Sequence, residues 1–91
     1  MKNHERQLLK SAAKGSVAAY EEIIGPYRKK VYNFMLKSCG DESEAYRLAL
    51  EVFVKVFEML ISGEDLSIPF TIYKTAGELS RQAGSIVQKI S

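Results

Sequence analysis

A chain of 91 residues is long enough for one hydrophobic core and too short for two. Charged residues make up 26% and hydrophobic residues 46%, a globular balance that excludes a disordered polyelectrolyte. No apolar run approaches the roughly 18 residues of a membrane span, and the charged opening MKNHERQ lacks the apolar centre of a secretory signal. The single cysteine, Cys39, leaves no internal disulfide and fits a reducing cytoplasm.

The net charge of +2 conceals a segregation. Residues 1–40 carry eight Lys and Arg against three Glu, a surplus of +5, whereas residues 41–65 carry two against seven acidic residues, a surplus of −5. Such a division steers a polyanion or an acidic partner toward one part of the surface, or else describes an ordinary solvated face.

In chain order, the spacing of apolar residues predicts four helices with short connections and no strand. The first runs from about Glu5 to Lys14, with Leu8, Leu9 and Ala12 inward and Gly15 as its stop. Ser16 is placed to cap a second segment, in which Ala19, Tyr20, Ile23 and Ile24 face the core. The pair Gly25–Pro26 interrupts it, because proline lacks an amide proton and crowds the turn before it. The helix restarts with Val31, Phe34 and Met35 inward and Tyr27 and Tyr32 flanking, so the two pieces count as one kinked helix.

Gly40 then suits a left-handed helix stop, and Asp41 with Glu44 three residues later has the spacing of a capping box. The third helix runs to about Ile61. Its stripe of Ala45, Leu48, Ala49, Val52, Phe53, Val56, Phe57 and Leu60 would fill a core. Tyr46, Leu50 and Val54 form a second row about 100° round the helix, which a small bundle cannot easily bury without a further partner or the first helix folding over it. Residues 62–69, SGEDLSIP, read as a loop, and Pro69 suits the first turn of a fourth helix. There Ile72, Ala76, Leu79, Ala83, Ile86 and Ile90 alternate steps of four and three, a heptad seam, with Lys74, Glu78, Arg81 and Lys89 on the other side.

Constellations for catalysis are missing from the sequence. His4 is the sole histidine and sits in the terminus, Cys39 has no other histidine to pair with, and the acidic pairs Glu21–Glu22 and Glu64–Asp65 are adjacent rather than convergent. Neither a phosphate-binding glycine loop nor metal-ligand spacing is present. The expectation is a binding protein rather than an enzyme, with no cofactor and no metal. The stretch YRKKVY at 27–32 mixes aromatic and basic residues, a pattern open to a nucleic-acid backbone or simply to solvent.

Residues 8–60, LLKSAAKGSVAAYEEIIGPYRKKVYNFMLKSCGDESEAYRLALEVFVKVFEML, resemble region 2 of the sigma-70 family, in particular the short extracytoplasmic-function (ECF) sigma factors of RNA polymerase. The likeness rests on the ungapped positions of Gly15, Ala19, Tyr20, Tyr27, Val31, Tyr32, Gly40, Asp41, Ala45, Leu48, Glu51, Val52 and Phe53, and on IYKTAGEL at 72–79, which is similar to the family's L-Y-R-I-A-R-N-L. It spans about residues 7–83. The resemblance implies a single sigma region 2-like domain over 1–91, an all-α four-helix bundle acting in transcription initiation. It further implies that the third helix docks on the coiled coil of the polymerase β′ subunit, through Tyr46, Arg47, Leu50, Glu51 and Val54. By position, Lys74, Gly77, Glu78, Arg81 and Gln82, with the loop Ser62 to Ser67, would meet the melted −10 promoter element.

Departures from the family pattern qualify both roles. Tyr46 and Arg47 stand where the family has Glu-Asp, Leu50 replaces Gln, and Phe57 replaces Trp. Gly77–Glu78 replace Arg-Asn on the DNA helix, and a carboxylate there repels phosphate and removes an amide donor. The family's region 4, a helix-turn-helix for the −35 element, is not found in these 91 residues, so the expectation is a sigma-factor domain that is either a fragment of a longer two-domain protein or a free-standing relative. The alternative expectation, from the departures on both faces, is a sigma-like interaction module that no longer melts DNA and binds polymerase, an anti-sigma factor or itself.

Overall fold

Local signals fix where the helices begin and end. Ser16 accepts a hydrogen bond from the Ala19 amide at 3.2 Å, and Asp41 accepts one from the Glu44 amide at 2.8 Å. Gly40 holds φ at 71°, a left-handed value that strains an L side chain, and its amide closes onto the Leu36 carbonyl at 2.8 Å. The computed structural model describes residues 2–90, with side chains described for residues 4–82. Through them run four α-helices: α1 Lys2–Ala13, α2 Val17–Cys39, α3 Glu42–Ile61 and α4 Ile68–Ile90. The protein is an all-α four-helix bundle, with no strand among the described residues. None of these helices is long and apolar enough to cross a membrane.

The core forms where α2 and α3 pack together and α4 closes over both, while α1 lies against α2 and α3. Met35, Ile72, Val31, Val52 and Val56 are its largest fully enclosed side chains. Each contributes about 1.5–3 kcal/mol by leaving water. Tyr20 crosses the layer between α2 and α3: its hydroxyl donates to the Phe53 carbonyl at 2.5 Å, and its ring stacks on Phe57 with centroids 4.5 Å apart. Ile72, Ala76 and Leu79 are buried, as the seam on α4 requires. Ala83, Ile86, Ile90 and Lys89 lie outside the residues whose side chains are described.

Four local expectations need correction. First, α1 starts at Lys2, three residues ahead of Glu5. Second, the two pieces around Gly25–Pro26 form one helix, as counted, but the helix runs through the pair without the expected interruption. A proline ring clashes with the Cβ of the residue before it in helical conformation, and glycine has none. The carbonyl that proline leaves without a helical donor is that of Glu22, an exposed residue, so water can serve it.

Third, Phe34 is 42% exposed rather than inward. Val31 and Met35 define the inward direction of this part of α2, and Phe34 lies about 100° from Met35, at the rim. Fourth, Phe57 is half-buried, covered on one face by Tyr20. The capping box at the start of α3 forms by half: Asp41 caps, but the Glu44 carboxylate turns to Arg47 instead of back to the Asp41 amide. Two buried threonines on α4, Thr71 and Thr75, extend the inward face beyond the apolar seam.

Candidate protein-docking face

The second apolar row of α3 faces solvent. Tyr46 is 61% exposed, Leu50 48% and Val54 57%. Successive residues of the row lie four apart, one helical turn plus 40°, so it winds slowly along the outer surface. α1 does not cover it. These three residues leave a contiguous apolar row of α3 open to solvent.

A groove of about 560 Å³ runs beside the row, between α3 and α2. Ile24, Ala49 and Phe53 form its floor, Tyr46 and Leu50 one wall, and Arg28, Lys29 and Tyr32 the other. Tyr46 and Leu50 are exposed, as the sequence led us to expect. Arg28, Lys29 and Tyr32 belong to the YRKKVY stretch, read from the sequence as open to nucleic acid or solvent, and the structure sets them beside α3 instead of apart from it. The structure thus joins an aromatic and aliphatic strip to Arg28 and Lys29 on one side, with Glu42 lining the same groove.

Acidic residues border the opposite side of the strip. Arg47 lies among them and is held along the helix: its Nε donates to Glu44 at 3.0 Å, one terminal nitrogen pairs closely with the same carboxylate, and the other donates to Glu51 at 3.3 Å. These hydrogen bonds, and the charge behind them, hold the Glu44 carboxyl below its ordinary value and raise Arg47 further. Both partners are solvent-exposed, so the pairs add little stability, but they orient a guanidinium at the edge of the apolar row.

The second predicted set lies on α4. Lys74, Glu78, Arg81 and Gln82 are exposed and Gly77 is half-buried, so the five residues share the solvent side of one helix. A Cβ added at Gly77 would meet only an Arg81 terminal nitrogen, at 3.6 Å. Phe70 and Tyr73, which the sequence reading did not single out, are 66% and 48% exposed on the same helix. Tyr73 meets Tyr27 edge-on at 6.2 Å, and Ser80 donates to Ser38 at 2.6 Å, so α2 supports this face. Glu64 and Asp65, in the loop before α4, are exposed carboxylates. The two predicted sets sit on different helices and do not merge into one site.

Among the described residues no group of three or more His, Cys, Asp or Glu converges as metal ligands would. No protein-family model, curated protein or solved structure matches this chain.

Proposed function

We propose that the protein is a cytoplasmic, non-enzymatic module of transcription initiation, similar to region 2 of an ECF sigma factor. The outer face of α3 docks on the β′ coiled coil of core RNA polymerase, and the solvent face of α4 makes weak contact with single-stranded −10 promoter DNA. One observation carries this reading: the exposed Tyr46–Leu50–Val54 row, edged by Arg47 and Glu51, occupies the position that the sequence resemblance gives to the polymerase contact. An apolar strip with an aromatic and an arginine is the composition in which binding energy concentrates.

Titration with a purified β′ coiled-coil fragment tests it. Leu50→Glu places a charge in the middle of the strip and should weaken binding by about tenfold or more. Because Leu50 is 48% exposed, the melting temperature should hardly move. Undiminished binding by the variant, or its unfolding, would remove α3 from this role.

A second reading has its own support. Exposed Glu78 on α4, with Glu64 and Asp65 in the loop before it, sets carboxylates on the surface proposed for DNA. That arrangement favours a sigma-like module that has ceased to melt promoters and works through protein contacts alone, with polymerase, an anti-sigma factor or a second copy of itself.

A further inference from the structure

The charges beside the apolar row of α3 follow a self-complementary order. Arg47, Glu51, Lys55 and Glu58 step by four, four and three, so they lie along one flank of the helix and alternate in sign. Arg47 and Glu51 already touch on this flank, at 3.3 Å. Lys55 and Glu58 are exposed and have no ion-pair partner among the described residues. Reversed end to end, the order plus, minus, plus, minus becomes minus, plus, minus, plus. A second copy of the helix laid antiparallel therefore meets opposite charge at every one of the four positions.

On the other side of the strip, Arg28 borders the groove and pairs with Glu21 at 3.7 Å, so that side carries both signs of charge. In an antiparallel pair, like flanks meet across the two-fold axis. Opposing copies of the α3 flank therefore match in charge, while the apolar strip of one copy lies against that of the other.

We propose that the protein forms an isologous homodimer through α3, the two helices antiparallel, with Leu50 against Val54 of the second copy and Arg47 against Glu58 of the second copy. A two-fold interface requires a surface complementary to itself, and the α3 face is one by apolar content and by charge order. This dimer covers the row assigned above to polymerase, yet it does not rest on that assignment. A protein that dimerises without binding the β′ coiled coil refutes the one and leaves the other standing.

Sedimentation equilibrium on the full chain over a range of concentrations, with circular dichroism to monitor folding, tests the proposal. The wild type should show a monomer–dimer equilibrium, and raised salt should weaken it. Glu58→Arg, at an exposed residue, should raise the dissociation constant by about tenfold or more. Arg47→Glu should do the same, and the double variant R47E/E58R should recover most of the loss. Recovery by the reciprocal swap cannot come from bonds within one helix, because Glu44 and Glu51 still surround position 47. If R47E unfolds, the pair Glu51→Lys and Lys55→Glu supplies the same loss and recovery. A wild type that stays monomeric to about 500 µM overturns the proposal. So does a dimer indifferent to these reversals, or one that the double swaps fail to restore.

Discussion

Tyr20 joins two helices with one side chain. Its ring covers Phe57 and its hydroxyl reaches the Phe53 carbonyl, while only 5% of the residue remains exposed. Burial raises its ionisation well above the ordinary value near 10, because a phenolate in that position would lose its water. The folded state therefore holds the proton more tightly than the unfolded chain does. The associated stability is complete below about pH 10, the unfolded value, and falls as pH rises beyond it. Thermal melts should show the melting temperature dropping above that pH, and Tyr20→Phe should flatten the drop while costing about 1 kcal/mol at neutral pH. Phe53 is 7% exposed and sits at the centre of the α2–α3 layer. Phe53→Ala should cost about 3–5 kcal/mol in a urea melt, a large part of what a domain of this size possesses.

At the level of the helix, ends were more legible than middles. Ser16, Gly40 and Asp41 act through hydrogen bonds and backbone angles that involve only neighbours in sequence, so their roles could be read directly. Asp41→Ala should lower stability by about 1 kcal/mol, read as a shift in the urea midpoint at unchanged slope. The continuous path of α2 through Pro26 was harder to see, because the helix on both sides is held by packing against α1, α3 and α4 that local propensity does not contain. Phe34 misled for a related reason: hydrophobicity marks a residue as suitable for burial, while the inward direction of α2 is decided by the helices around it. On α3 the periodicity alone separated the buried stripe from the exposed row. The groove was invisible because its other wall, Arg28, Lys29 and Tyr32, is distant in sequence and owes its position to the α2–α3 packing.

Across the whole molecule, the division of charge along the chain is blurred where the helices meet. Arg28 and Lys29 border one side of the α3 strip beside Glu42, and Glu44, Glu51 and Glu58 follow the other, interleaved with Arg47 and Lys55. The DNA-facing proposal depends on a different balance. α4 offers Lys74 and Arg81 against Glu78 among its described exposed residues, so few phosphate counterions would be released on binding. Affinity for a −10-like single strand should be weak and should fall only gently with salt. The double variant Gly77→Arg and Glu78→Asn should strengthen binding in a fluorescence-anisotropy titration, and space at Gly77 permits it. Tight, sequence-selective binding by the wild type at physiological salt would contradict the view that this face has lost its DNA chemistry.

The chain contains no tryptophan, so its near-ultraviolet optical signal belongs chiefly to five tyrosines. Tyr20 alone among them is buried, and its ring stacks on Phe57, while Tyr27 meets Tyr73 edge-on between α2 and α4. Chiral immobilisation of the buried ring makes part of the near-ultraviolet circular dichroism of the protein report on the contact between α2 and α3. The molecule thus carries its own reporter. A state that keeps its helices but loosens their packing would retain the far-ultraviolet spectrum and lose this band, and the difference spectrum of Tyr20→Phe would isolate it.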